Sequence, residues 1–180
     1  DMVVGKSSQI KGEIYLPGDK SISHRSVIFN SIAKGTAKVT NISLGQDCIS
    51  TINIMRSMGV EVDINETDLT TISIKGVGRT GLQEPEIVLD AGNSVTTMGL
   101  ISGLLSTQPF FSVLTGDDSL RSRPMGRIIT PLKQMGAHIN GRDGNTKAPF
   151  AIQGSELKGI EYTMPVASAQ LKSCVILAAI

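Results

Sequence analysis

Two periods alternate along the chain. Residues 60–64, Val-Glu-Val-Asp-Ile, switch between apolar and polar at every step, as a half-buried strand does, and Thr-Ile-Ser-Ile at 71–74 does the same. Residues 23–34 and 47–58 read instead as amphipathic helices, stopped by Gly35 and by Gly59 in the sequence Met-Gly. With short strands at 12–17 and 37–42, the first stretch runs β-α-β-α-β-β. The order then recurs. Ser-Leu-Gly-Gln-Asp at 43–47 leads to Met-Gly and alternating residues, and so does Ser-Leu-Arg-Ser-Arg at 119–123, while "TTISIKG" (70–76) matches "APFAIQG" (148–154). A period of about 77 residues is too long for a solenoid and marks a duplicated subdomain. The second unit has a strand at 86–90 and helices at 94–106 and 124–135. A third opens at 160–165, enters a helix near Ser168 and is cut at Ile180. The expected fold is α/β, with units at about 12–78, 84–155 and 160–180, the last incomplete.

Composition narrows what such a chain does. At 180 residues, 40% hydrophobic and 18% charged, it can bury a core without a disulfide or metal staple. Aromatics are 3% with no Trp, which argues against a base-stacking platform, and a net charge of +1 offers no broad field for nucleic acid or membrane. Cys48 and Cys174 lack metal-ligand spacing and read as reduced core thiols of a cytoplasmic protein. No signal peptide is legible, and the apolar run 174–180 is too short to cross a bilayer. That run stops in mid-face, so the chain reads as part of something longer.

Charge matters locally. "GDKSISHRS" (18–26) puts Lys20 and Arg25, with His24 between them, where a helix begins, and "SLRSRPMGR" (119–127) repeats the oddity with Arg121 and Arg123. A helix start carries partial positive charge, so cations there are unfavourable by a few tenths of a kcal/mol each. Pro124 fits a first helical position. The first helices of the three units follow the turns "PGDKSISHR", "DAGNSVTT" and "PVASAQLKS" and are expected to start at one end of the molecule. Their Ser and Asn residues can be ordinary N-caps, worth about 1 kcal/mol each. Caps do not explain the cations; a bound phosphate or carboxylate does, because free N–H groups, the helix dipole and the cations then all face one anion. Other motifs are weaker. "GVGRTG" (76–81) lacks the strand and helix of a nucleotide loop. His138 is expected on a surface or edge strand, and Asp117–Asp118 in a turn rather than on a metal. No catalytic triad, metal or cofactor is indicated.

"LPGDKSISHR", "AGNSVTTM", "LTGDDSLRSRPMGR" and "PVASAQLKS" resemble, in order and spacing, the N-terminal half of the 5-enolpyruvylshikimate-3-phosphate (EPSP) synthases, over essentially the whole chain. That family moves the enolpyruvyl group of phosphoenolpyruvate to the 5-hydroxyl of shikimate 3-phosphate, releasing phosphate, in the cleft between two domains of three β-α-β-α-β-β units. The resemblance implies a monomeric cytoplasmic enzyme of the shikimate pathway without cofactor, of which this chain is most of one domain. Lys20 would touch both substrates. Ser21, Arg25, Ser168, Ala169 and Gln170 would hold shikimate 3-phosphate; Asn93, Val95, Arg123 and Gln170 would face phosphoenolpyruvate. The proton-transfer groups would lie mostly in the missing C-terminal domain, so this portion would be inactive alone, with residues 1–15 loosely held.

Two positions depart from the family pattern: Val95 where Gly is usual, and Gly99 where Arg is usual. Val95 adds two methyls where a ligand would approach the backbone, so weaker phosphoenolpyruvate binding and insensitivity to bulkier competitors such as glyphosate are expected. The sister transferase acting on UDP-N-acetylglucosamine usually carries Cys in the loop matching "GDDSLRSRP", and none stands there. A non-catalytic anion-binding module is the alternative of another class.

Overall fold

The computed structural model describes residues 5, 6, 9 and 11–180. The expectation for residues 1–15 therefore falls partly on residues 1–4, 7, 8 and 10, outside the described residues.

Helix α1 (Lys20–Ile32) starts ahead of the expected residue 23 because Asp19 caps it, its carboxylate accepting the Ile22 amide at 2.7 Å. It also ends earlier: Lys34 already belongs to β1 (Lys34–Val39), so the strand expected at 37–42 is displaced toward the N-terminus. Helix α2 (Gln46–Ser57) closes at Gly59, whose φ of 85° is the left-handed stop read from the sequence. Strands β2 (Glu61–Ile64) and β3 (Ile72–Val77) form a hairpin, with β1 on the other side of β3, so the sheet order is β1-β3-β2.

The second sheet repeats this plan. Strand β4 (Leu89–Asp90) leads to α3 (Val95–Leu105), β5 (Phe111–Thr115), the short α4 (Asp118–Ser122) and α5 (Gly126–Gln134). Then come β6 (His138–Gly141), a distorted turn α6 (Arg142–Asn145), β7 (Lys147–Gln153) and the final helix α7 (Ala169–Leu177). The order β4-β5-β7-β6 contains β1-β3-β2 over again, with all pairs antiparallel except β4 and β5. Gly136, at φ 105°, ends α5 as Gly59 ends α2.

Three strand expectations fail. Residues 12–17 are irregular, with Ile14, Tyr15 and Leu16 82%, 86% and 75% exposed. Of 86–90, only Leu89 and Asp90 pair, against Leu114 and Thr115, and Ile87 and Val88 face outward. Residues 160–165 form no strand. Apart from Leu89 and Asp90, these residues have no strand partner among the described residues. β1 lies at the edge of its sheet among the described residues, on the side where β4 covers β5.

Helix α3 is buried all round from Thr97 to Leu105, and α7 lies against it so closely that a Cβ on Gly103 would come within 2.2 Å of the Cys174 carbonyl oxygen. Around this pair the core gathers Val27 and Ile28 of α1, Met55 of α2, Ile74 of β3, Leu114 of β5 and Phe150 of β7. The apolar interior thus holds α1, α3 and α7, whose first turns carry the motifs, in one packed group. Among the described residues no helix is long and apolar enough to cross a membrane.

Candidate anion-binding site

At the start of α1, Lys20 forms an ion pair with Asp47 in the first turn of α2. The charge that looked misplaced thus has a counter-ion within the chain, and Asp47 in turn sits at a helix start, where an acid is favourable. Ser21 is exposed beside it. Arg25, half-buried, donates to the Ser21 carbonyl at 3.0 Å and to Ser173 Oγ at 2.8 Å, tying α1 to α7. It has no carboxylate partner among the described residues.

The other two helix starts are capped by their serines. Ser94 Oγ accepts the Thr97 amide at 3.0 Å and Ser168 Oγ accepts the Leu171 amide at 3.3 Å, so the ordinary reading of both hydroxyls holds. Ala169 opens α7 on the surface. Gln170 donates through Nε2 to Thr96 Oγ1 at 2.8 Å, joining the first turns of α7 and α3. Side chains from α1, α7 and α3 are thereby linked in sequence around one end of the helical group.

The region of "SLRSRPMGR" is built differently from expectation. The helix expected at 124–135 is present as α5 but begins only at Gly126, and a short α4 that was not expected ends before it at Ser122, so Pro124 lies between the two rather than at a first helical position. Arg121 therefore sits in the last turn of α4, where a cation is favourable, and pairs with Asp118. Arg123 caps the end of α4 and, with Val95, Pro124, Met125, Gly126, Arg127 and Thr146, lines an open depression of ≈ 460 Å³ at the start of α5. Among the described residues neither Arg123 nor Arg127 has an ion-pair partner.

Asn93, the residue before the α3 cap, donates to Asp117 Oδ2 at 2.8 Å. Asp117 caps α4, accepting the Leu120 amide at 2.7 Å, and chiefly the Asn93 hydrogen bond holds its carboxyl below the usual carboxylate range. Asp117 and Asp118 thus start α4, and no cluster of metal-ligating side chains occurs among the described residues. His138 is exposed on the edge strand β6. Both cysteines are free and buried; burial raises both thiols, Cys174 to about 12. At Gly99, a Cβ would lie 2.9 Å from Cδ1 of Ile128 on α5, so a longer side chain requires Ile128 to move.

Sequence reasoning missed residues that hold the site together, Asp47, Ser173, Thr96, Thr51 and Thr97, and it grouped His24 with the cations of the helix start rather than with the buried threonines. Their partners are far away in the chain. Only Asp47 left a trace, as an acid in a first helical turn.

A family profile described as "EPSP synthase (3-phosphoshikimate 1-carboxyvinyltransferase)" matches residues 4–180. The chain belongs to the EPSP synthase family. The 3-phosphoshikimate 1-carboxyvinyltransferase of Citrifermentans bemidjiense is 55% identical over 175 residues, covering 97% of this chain and 40% of the relative. That of Pelotomaculum thermopropionicum is 53% identical over 178 residues, covering 99% and 41%. The EPSP synthase of Acinetobacter baumannii, solved at 2.37 Å, superposes with a TM-score of 0.88 at 47% identity over 93% of this chain and 37% of that one. The chain thus spans about 40% of the length of the EPSP synthases it matches. Their α/β architecture is the one seen here.

Proposed function

We propose that this chain forms the shikimate 3-phosphate wall, and part of the phosphoenolpyruvate subsite, of a 3-phosphoshikimate 1-carboxyvinyltransferase. The observation that carries this reading is the linkage of three helix starts by Arg25–Ser173 and Gln170–Thr96, with Lys20 at the head of α1. Lys20, Ser21 and Arg25 come from α1, and Ser168, Ala169 and Gln170 from the start of α7, the helix that Arg25 reaches through Ser173. Arg123 and Val95 line the depression at the start of α5, and Asn93 stands two residues before Val95, bonded to Asp117. Both substrates carry phosphate. Arg offers a planar fork to phosphate oxygens, and Lys a compact charge that can lie between two anions.

In the reaction the 5-hydroxyl oxygen of shikimate 3-phosphate forms a bond to C2 of phosphoenolpyruvate as the methylene carbon takes a proton. The hydroxyl proton leaves, and loss of phosphate with one methyl proton regenerates the double bond. The work assigned to this chain is to bind and orient the two anions and neutralise their charge. The acid and base belong to the remainder of the enzyme, whose closure over the substrates excludes water. Val95 narrows the phosphoenolpyruvate subsite and disfavours bulkier occupants such as glyphosate.

Mixing the chain with the complementary C-terminal portion of a relative, and following phosphate release from both substrates, tests this. The expected result is turnover by the mixture, none by either part alone, and a loss of about 100-fold or more with Lys20→Met. A mixture whose turnover is indifferent to Lys20→Met contradicts the assignment.

A further inference from the structure

Beneath the linked helix starts runs a chain of short hydrogen bonds that begins at a buried histidine. His24 lies on α1 directly before Arg25, fully buried, with Nδ1 2.7 Å from Thr51 Oγ1 of α2. Thr51 Oγ1 is 2.7 Å from Thr97 Oγ1 of α3, which donates at 2.7 Å to Ser94 Oγ, the α3 cap. Both threonine hydroxyls also approach the Asp47 carbonyl, at 3.4 and 3.2 Å, and the Asp47 carboxylate holds Lys20. Thr51, Thr97 and Ser94 are as buried as His24.

His24 Nε2 has no hydrogen-bond partner. A buried N–H without an acceptor is the costlier orphan, so the hydrogen-bond pattern assigns the proton to Nδ1. With His24 donating to Thr51, the Thr51 proton can go to Thr97 or to the Asp47 carbonyl, and the Thr97 proton to Ser94 or to the same carbonyl. Along the shorter 2.7 Å contacts the bonds run from His24 through Thr51 and Thr97 to Ser94, each polarising the next. Burial, and then the nearby Lys20 and Arg25 charges, hold the ring neutral against the opposing pull of Asp47.

We propose that His24 is a positioning residue for the anion site: the hydrogen-bond chain it heads fixes the start of α1, with Lys20 and Arg25, relative to the start of α3, with Val95 and Thr96. The purpose of that spacing rests on the proposed function; the spacing itself does not. Leucine at position 24 removes the first bond. Asparagine can keep it, because its Nδ2 reaches about as far from the backbone as histidine Nδ1.

A multiple-bond ¹H–¹⁵N spectrum of the imidazole near neutral pH should show a protonated Nδ1 and a bare Nε2. An Nε2–H tautomer or a charged ring overturns the proposal. In His24→Leu, amide signals of Val95 and Thr96 should move, and affinity for shikimate 3-phosphate, measured well below the melting temperature, should fall about tenfold or more. His24→Asn should restore affinity to within about threefold. Perturbation confined to α1, or unchanged affinity in a folded His24→Leu protein, overturns it, since a merely stabilising residue would leave affinity intact. Should His24→Leu fail to fold, Thr51→Val breaks the same chain from α2 and must reproduce the α3 shifts. If the unaltered chain binds no shikimate 3-phosphate, the functional reading fails, while the tautomer and the α3 shifts still decide the positioning role.

Discussion

His24 illustrates how burial converts a titratable side chain into a fixed neutral donor. Its folded pKa is lowered from 6.5 to about 4, first by desolvation and then by Lys20, with Asp47 pulling the other way and Arg25 adding to the depression. Between those values the unfolded chain binds the proton and the folded chain does not. Stability is therefore complete above pH 6.5 and is lost as pH falls toward 4, by about 3 kcal/mol at most. Urea unfolding near pH 7 and near pH 4.5 checks this. The unaltered protein should lose more stability between the two than His24→Asn, and equal losses would show that the ring does not titrate as described. A second residue-scale prediction concerns Val95. In the reassembled enzyme, Val95→Gly should tighten phosphoenolpyruvate binding by about 1 kcal/mol and glyphosate binding by more, measured as Kd and inhibition constant; unaltered constants would show that the two methyls do not face the subsite. The sequence announced Lys20, Arg25 and Val95 by position in motifs. It marked Asp47 only as an acid in a first helical turn and was silent on the Lys20–Asp47 pair and the Thr51–Thr97 bridge, because those contacts depend on where three helices meet.

At the scale of elements, helix ends were more legible than strands. Gly59 after α2 marks its stop by backbone geometry, a local property that one residue type carries alone. Residues 12–17 carry the apolar run Ile14-Tyr15-Leu16 of a short strand yet stay unpaired, since a strand exists only beside a partner and side-chain pattern does not supply one. A short α4, divided from the expected α5 by residues 123–125, was also missed, although Asp117 stands three residues before the amide it caps. That division corrects the electrostatics: Arg121 and Arg123 end one helix rather than begin another. The closest packing of elements is the crossing of α3 and α7 at Gly103. Gly103→Val should force the helices apart, lower stability by about 3 kcal/mol or more, and disturb the Gln170–Thr96 hydrogen bond. A urea midpoint and the Gln170 side-chain amide signal report the two effects. An unchanged midpoint would mean that the helices are not held at the observed separation.

For the molecule as a whole, the duplicated sheets and the packing of α7 against the buried α3 bring the starts of α3 and α7 together, with α1 tied to α7 through Arg25. The repeat was readable at the sequence level because Met-Gly stops and paired strands recur with fixed spacing. The proposed convergence of Lys20, Arg25 and Gln170 on one anion was offered by the sequence only as an expectation, since a repeat says that units are alike and not how they pack. One measurement addresses that convergence directly: titration of shikimate 3-phosphate into the ¹⁵N-labelled chain, followed by amide and side-chain spectra. Saturable shifts should concentrate at Lys20, Ser21, Arg25 and 168–170, weakening as salt is raised. Shifts spread over remote lysines such as Lys38 and Lys75, with none at the three helix starts, would contradict the site.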